Sequence, residues 1–252
     1  MATLYLVRHG QASFGADDYD QLSDLGRRQS LCLGQYLRER HGDALRFDTV
    51  LTGTLRRQVG TWQGIAEGGG FEVGPSRAGP PEAASAPSGG SADMPVRSVG
   101  GHILWPGLNE YDSHAVIHAI HPDPLPRPDT PELYRQHFRL LRQGLAAWMD
   151  GRVQPAGMLS YADFRAGVVG ALDHVRQHCQ GDVLIVSSGG PIATAVAHIL
   201  QAPAATSIEL NLRIRNTAVT EFQFNPKRHQ LLTYNTLPHL DGPAYRDWVT
   251  YA

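Results

Sequence analysis

The feature of this sequence that most constrains the fold is an uninterrupted apolar stretch near the amino terminus. Residues 4–7 read Leu-Tyr-Leu-Val, and Arg8, His9 and Gly10 follow directly. A short run of large apolar residues is typical of a strand that is buried on both faces, as in a parallel sheet flanked by helices. Ligands of such sheets bind at the carboxyl ends of the strands. The chain therefore carries an arginine and a histidine where a ligand is expected.

Arg8 and His9 favour an anionic ligand that a nitrogen atom can attack, and phosphate is the obvious candidate. The guanidinium group has a planar fork of donors that matches phosphate, and a neutral imidazole is a nucleophile. Gly10 would let the backbone and a ligand approach closely, because it has no side chain. Taken alone, the tripeptide is equally compatible with an ordinary turn that carries a surface arginine.

Strand and helix patterns alternate along the rest of the chain and indicate an α/β protein. Buried strands are predicted at residues 3–7, 49–52 and 182–187, and alternating strands at the sheet edge at 218–224 and 230–234. Helices are predicted at 23–40, with Ser23 as the N-cap, and at 55–66, 131–150, 160–179 and 189–200. A chain of 252 residues, 42% of them hydrophobic, can bury one sizeable core. We expect a single domain, residues 1–252, with a central, mainly parallel sheet.

Five separated segments occur in the same order as in a known family. They are residues 6–10 (Leu-Val-Arg-His-Gly), 22–29 (Leu-Ser-Asp-Leu-Gly-Arg-Arg-Gln), 52–61 (Thr-Gly-Thr-Leu-Arg-Arg-Gln-Val-Gly-Thr), 108–110 (Leu-Asn-Glu) and 183–190 (Val-Leu-Ile-Val-Ser-Ser-Gly-Gly). Together they resemble the histidine phosphatase superfamily, which is phosphoglycerate mutase-like. Residues 216–217 and 235–240 look like its closing segment. The resemblance implies a three-layer α/β/α sandwich with an inserted lid segment.

The resemblance also implies a phosphomonoester hydrolase that acts through a phosphohistidine on a small phosphorylated substrate. In this interpretation His9 is the nucleophile, Arg8 and Arg57 clamp the phosphate oxygens, and Glu110 is the general acid. These residue types suit the chemistry, because the transferred phosphoryl group spreads charge over three oxygens and needs an in-line nucleophile with positive groups around it.

The residues alone leave other roles open for two of these positions. Arg56 and Arg57 are adjacent, and either could lie on a solvated helix face or pair with a carboxylate; only the family alignment selects Arg57. Glu110 could be a loop or cap residue, and Asp112 is the alternative acid.

Four further residues are candidates for binding the substrate phosphate. Gln11 and Ser13 follow His9 in the loop where similar enzymes have extra phosphate contacts, although a serine there could equally form a turn. Ser188 could offer a hydroxyl, and Gly189 a backbone N–H, although two adjacent glycines also occur in simple tight turns. We expect no metal and no cofactor, because phosphoryl transfer through histidine does not demand one.

Ser188 departs from the family pattern, which ordinarily has a second histidine at this position. A hydroxyl cannot become a cation, so the developing charge loses a partner, and by analogy with the loss of one oxyanion donor the rate would fall about 10²–10³-fold. A weakened phosphatase-like protein that binds phosphorylated ligands or a partner is therefore an alternative, and phosphoglycerate mutase-type transfer is another. A replacement imidazole could come from one of the histidines near Glu110, which are His102, His114, His118 and His121.

Two segments of the domain are expected to form a loop and a lid. Residues 68–95 are rich in Gly, Pro, Ala and Ser, which predicts a flexible loop without catalytic residues. Residues 100–155 are expected to form the lid that selects the leaving group. Within it, Tyr134, Phe138 and Leu141 have helical core spacing, which predicts that they pack inward.

Charge and cysteine content limit the classes of partner. The formal net charge is −2 and no long basic block occurs, so we expect a small phosphorylated molecule as ligand, no nucleic acid and no membrane. Cys32 and Cys179 are too few for a disulfide scaffold, and no signal peptide pattern is present, which favours a cytoplasmic protein. An edge strand or a lid face could pair two copies in a homodimer.

Overall fold

One seven-stranded sheet organises the chain in the computed structural model, which describes residues 2–13, 20–72, 97–99, 102–126 and 129–251. The strands are β1 Ala2–Arg8, β2 Phe47–Thr52, β3 Arg97–Val99, β4 His102–Leu104, β5 Asp182–Ser187, β6 Val219–Asn225 and β7 Arg228–Thr236. Their order is β3-β4-β2-β5-β1-β6-β7, in which β4, β2, β5 and β1 are parallel. The outer strands β3, β6 and β7 are antiparallel to their neighbours. The predicted α/β fold with a central parallel sheet is confirmed, with antiparallel strands at both edges.

Seven α-helices are described. They are α1 Asp24–His41, α2 Arg56–Gly69, α3 Ser113–His118, α4 Pro131–Met149, α5 Tyr161–His178, α6 Gly189–Ile199 and α7 Thr206–Asn211. The predicted N-cap of α1 is confirmed, because Ser23 Oγ accepts a 3.0 Å hydrogen bond from Gly26 N. The start of the predicted flexible loop is wrong, since α2 continues through residues 68 and 69. The part of that loop at residues 73–96 lies outside the described residues.

The alternation of side chains along β1 explains the three layers. Leu4 and Leu6 belong to the larger core, which α3 to α7 cover, and Trp148 of α4 is among its buried members. Tyr5 and Val7 point to the opposite face, into a second core that α1 and α2 cover. Because both faces of the strand are buried, the run of residues 4–7 has no polar interruption.

The range predicted as a lid includes part of the sheet and part of the core. Its strand β4 pairs with β2, and Leu141 in α4 is buried. The predicted inward packing of Tyr134 and Phe138 is wrong, since each is 46% exposed. In α4, residues 131–140 include no buried position, so the first half of the helix extends beyond the core that covers its second half.

The register of the central strands brings three chain segments to one edge of the sheet. Arg8 at the end of β1 lies beside Ser187 at the end of β5, and Thr52 at the end of β2 lies beside Val186. The residues that follow these strands therefore meet in space, as expected for a parallel sheet. In the part of the chain that is described, no helix combines the length and the apolar character needed to cross a bilayer.

Candidate active site

The hydrogen bonds of His9 fix which of its ring nitrogens is available to a ligand. Nδ1 lies 2.7 Å from the carbonyl oxygen of Gly10, and Arg57 Nε lies 3.2 Å from Nε2. A carbonyl only accepts and a guanidinium only donates, so Nδ1 carries the proton and Nε2 presents its lone pair. His9 is 5% exposed. The ring is thus neutral and held with its unprotonated nitrogen next to a cation.

The backbone around His9 is anchored on three sides. His9 N donates to Ser187 O of β5 at 2.8 Å, Asn216 Nδ2 donates to His9 O at 3.1 Å, and Gly10 N donates to Thr61 Oγ1 at 2.9 Å. A Cβ on Gly10 would lie 2.5 Å from Gly26 O in α1. The interpretation of Gly10 from sequence was therefore wrong, because this glycine makes room for α1 rather than for a ligand.

The structure distinguishes Arg57 from its neighbour Arg56. Arg57 is 8% exposed, and its NH1 forms a 2.7 Å salt bridge with Asp20 Oδ1 in addition to the contact with His9. Arg56 is exposed, and its backbone N–H donates to Asp20 Oδ2 at 2.9 Å. Asp20 thus orients the first turn of α2, a role that sequence reasoning missed because nothing local to residue 20 signals it.

Arg8 reaches the site from the end of β1 and is oriented by backbone carbonyls. Its NH1 donates to Ile214 O at 2.5 Å and to Tyr251 O at 2.7 Å. Its charge lowers the pKa of both His9 and Glu110, as does that of Arg57. Both guanidinium groups therefore lower the pKa of the same two side chains, His9 and Glu110.

Glu110 is held at the amino terminus of α6. Its Oε2 accepts a 3.1 Å hydrogen bond from Gly190 N, and its Oε1 accepts one of 3.2 Å from Tyr111 N. A Cβ on Gly190 would lie 2.2 Å from Oε1, so this approach requires glycine. Asp112, the alternative acid, is exposed and instead caps α3 through Oδ1, which accepts from His114 N and Ala115 N.

Burial shifts the pKa values of the two candidate catalytic groups in opposite directions. It lowers the pKa of His9 well below 6.5, and Arg8 and Arg57 lower it further. It raises the pKa of Glu110 above 4.5, and the Gly190 N–H and the two arginines oppose that rise only in part. A neutral base and a protonated carboxyl group are the forms that these directions favour.

Ser188 is fully buried between β5 and α6. Its Oγ accepts a 2.9 Å hydrogen bond from Nε2 of Gln58, which is also fully buried. Sequence reasoning missed Gln58. The only available signal was its helical spacing to Thr61 and Ile65, which share the buried face of α2.

Three other predicted ligand-binding residues lie around this edge of the sheet. Gln11 Oε1 accepts from Ser23 Oγ at 2.8 Å, so part of this side chain serves the start of α1. Ser13 is half-buried, and its backbone N–H donates to Gln21 O. Gly189 is the first residue of α6, and its N–H is among those that cannot find a partner within the helix.

The histidines considered from the sequence as substitutes for an imidazole at position 188 have other surroundings. His102 Nε2 shares a 2.9 Å hydrogen bond with Thr52 Oγ1, and His114 and His118 are exposed on α3. Within the described ranges, no hydrogen bond joins them or His121 to His9 or Glu110. No group of three potential metal ligands comes together there either.

Comparison with solved structures identifies the fold. Bacillus stearothermophilus YhfR superposes with a TM-score of 0.60 at 17% identity, with 95% of this chain and 99% of that one covered. A phosphoserine phosphatase mutant from Entamoeba histolytica, in complex with phosphoserine, gives 0.57 at 18% identity, covering 95% and 100%. Phosphoglycerate mutase from Bacillus anthracis gives 0.56 at 14% identity, covering 94% of each chain. The fold is therefore phosphoglycerate mutase-like.

Comparison with curated proteins gave no match. The family model of the histidine phosphatase superfamily (branch 1) matches residues 4–77 and 129–237, well over half of the chain. The matched ranges include Arg8, His9, Arg57 and Ser188, whereas Glu110 lies between them. The chain therefore belongs to the histidine phosphatase superfamily, branch 1.

Proposed function

We propose that the protein is a phosphomonoester hydrolase that acts on a small phosphorylated substrate through a phosphohistidine at His9. The observation that carries the proposal is the hydrogen bonding of the imidazole. Its Nδ1–H donates to Gly10 O, and its Nε2 faces the Arg57 guanidinium. An unprotonated imidazole nitrogen attacks phosphorus once it gives up the hydrogen bond from Arg57, and the released guanidinium would then bind the phosphoryl oxygens.

In the first step, the lone pair of His9 Nε2 forms a bond to phosphorus while the bond from phosphorus to the alcohol oxygen breaks. Glu110 gives its carboxyl proton to the departing oxygen, which leaves as a neutral alcohol. In the second step, a water oxygen attacks phosphorus, the phosphorus–nitrogen bond breaks, and Glu110 takes the proton from the water. Inorganic phosphate is released, and both side chains return to their starting forms.

Positive groups around the phosphoryl oxygens would stabilise the charge that develops. Arg8 and Arg57 provide guanidinium groups, and the backbone N–H of Gly189, the first residue of α6, is proposed as a further donor, since the N–H of Gly190 binds Glu110. Gln11 and Ser13 are proposed as further contacts from the loop after His9. The combination favours a compact anion with three accessible oxygens, which is what a phosphomonoester offers.

Release of inorganic phosphate tests this function. The full chain is incubated with p-nitrophenyl phosphate and with a small alkyl phosphate, from acid to neutral pH. We expect multiple turnovers with both compounds. Absence of turnover, with inorganic phosphate still bound in calorimetry, would contradict the proposal.

The pH dependence should follow the two opposite pKa shifts. His9 must be neutral, and its lowered pKa places the acid limb of kcat/KM well below pH 6.5. Glu110 must be protonated to act as the acid, and its raised pKa places the alkaline limb above pH 4.5. We expect an optimum on the acid side of neutrality, measured with an alkyl phosphate. A rate that only rises with pH through neutrality would contradict these assignments.

Replacing Arg57 with lysine should reduce kcat about 10²–10³-fold, in the range reported for loss of one transition-state donor. Lysine keeps the charge but lacks the fork that contacts both His9 and Asp20. The matched control is Arg56→Lys, an exposed neighbour on the same helix, which should keep the kcat of the unmodified protein. Equal effects of the two substitutions on kcat would contradict the role of Arg57.

A second candidate function is binding of phosphorylated ligands with little turnover. The observation that favours it is Ser188, whose hydroxyl is buried against Gln58 where the family has an imidazole. Mutase-type transfer is a third outcome, in which an added alcohol rather than water takes the phosphoryl group. The ratio of phosphate released to phosphoryl group transferred distinguishes transfer from hydrolysis.

A further inference from the structure

The side chain of Gln58 connects α2, which carries Arg57, to the two chain segments that meet at Glu110. Its Nε2 donates to Leu108 O and to Ser188 Oγ, both at 2.9 Å, and its Oε1 accepts from Leu55 N at 3.3 Å. The side chain is fully buried. Both amide hydrogens and the amide oxygen of Gln58 are therefore used between parts of the protein.

The partners of Gln58 lie next to the residues that hold Glu110. Leu108 is two residues before Glu110, and Ser188 is two residues before Gly190, whose N–H binds the Glu110 carboxylate. Gln58 itself follows Arg57 in α2. One amide thus fixes the spacing between the helix that carries Arg57 and the two segments that meet at Glu110.

The burial of Ser188 argues against a direct contact between this hydroxyl and substrate. None of its surface is accessible, and its Oγ already accepts from Gln58. A phosphate oxygen is about the size of a water molecule, so it could not reach Oγ without displacing the surrounding atoms. Ser188 is a partner of Gln58 in this structure.

We propose that Gln58 is a positioning residue which, with Ser188, holds Glu110 in place for proton transfer to the leaving group. The inference rests on the proposed hydrolase function. It places these two residues in the region of the site where the family ordinarily has its second histidine. The Gln58–Ser188 pair supplies no positive charge. It acts on substrate only through Glu110.

We expect loss of the Gln58 amide to slow hydrolysis most for the substrates whose leaving group must be protonated. Gln58→Met keeps the length of the side chain but removes its hydrogen bonds. A displaced Glu110 should reduce kcat for glycerol 2-phosphate by up to about 10²-fold, the size expected for misplacement by about 1 Å. The first step with p-nitrophenyl phosphate, measured as release of nitrophenol in the first turnover, should fall much less, because nitrophenolate leaves without protonation.

A pH profile provides a readout that general loosening of the fold would not change. The Gly190 N–H lowers the pKa of Glu110. Burial is the larger influence and raises this pKa, so when Glu110 loses the hydrogen bond but stays buried, its pKa should rise further. The alkaline limb of kcat for glycerol 2-phosphate should therefore shift to higher pH in Gln58→Met. The matched control is Gln63→Met, at an exposed position on the same helix, which should leave both the substrate ratio and this limb unchanged.

If Gln58→Met does not fold, Ser188→Ala provides the test instead. It removes one of the two acceptors of Gln58 Nε2 and should change the substrate ratio in the same direction, by less. Equal losses for both substrates with an unmoved alkaline limb would overturn the proposal. The proposal would also be overturned if Ser188→Ala bound inorganic phosphate more weakly while the ratio of the two substrates' rates was unchanged. That result would mean that the Ser188 hydroxyl contacts phosphate directly. Turnover by the unmodified protein separates these failures from failure of the proposed function.

Discussion

Hydrolysis of phosphomonoesters should be lost when His9 is replaced by alanine. By analogy with removal of a protease nucleophile, we expect kcat to fall at least about 10³-fold, because the variant has no nitrogen lone pair to form the covalent intermediate. Arg57 and Arg8 remain, so the variant should still bind inorganic phosphate. The measurement is phosphate release from p-nitrophenyl phosphate, with phosphate binding followed by calorimetry on the same sample.

His178→Ala is the matched control for this substitution. His178 is an exposed histidine at the end of α5, whereas His9 is buried at the end of β1. The control should retain the kcat of the unmodified protein. If His9→Ala retained it as well, the covalent mechanism would be rejected.

Replacing Glu110 with glutamine should have the second largest effect, and its size should depend on the leaving group. Glutamine keeps the shape of the side chain but cannot transfer a proton. For glycerol 2-phosphate we expect a loss of about 10²–10⁴-fold in kcat, the range usual for general acids. For p-nitrophenyl phosphate the loss in the first step should be small. The alkaline limb of the pH profile, which reports ionisation of this group, should disappear.

Asp112→Asn serves as the control for Glu110→Gln, because Asp112 is the carboxylate that the sequence offers as the alternative acid. Asparagine is also a good N-cap, so α3 should keep its first turn. We expect this variant to retain the leaving-group dependence of the unmodified protein. A strong selective loss in Asp112→Asn, with none in Glu110→Gln, would transfer the acid role to Asp112.

The features that the sequence predicted well are those determined by local patterns. The apolar residues before Arg8 require a strand buried on both faces, and that strand brings His9 to the edge of the sheet where ligands bind. Ser23 caps α1 as its position predicts. Arg57 was selected by the family resemblance, and the structure gives it the contact with His9. For the strand and the N-cap the neighbouring residues along the chain carry the information, and for Arg57 the family resemblance carries it.

The features that could not be predicted depend on contacts between distant segments. Phe138 has helical core spacing, yet the end of α4 that carries it extends beyond the core. Gly10 was expected to face a ligand, but it faces α1. The sequence does not distinguish Gln58 from other helical glutamines, because its partners Leu108 and Ser188 are distant in the chain. A spacing pattern gives the face of a helix, but it does not give what lies opposite.

The central claim is that His9 Nε2 becomes covalently bound to phosphorus, and the most direct test is to trap that intermediate. The protein is mixed with p-nitrophenyl phosphate, quenched rapidly in alkali, where phosphohistidine survives, and digested for mass spectrometry. We expect a phosphoryl group on Nε2 of His9, formed as fast as nitrophenol is released in the first turnover. A phosphoryl group on another residue, or steady turnover with none on His9 at any quench time, would contradict it.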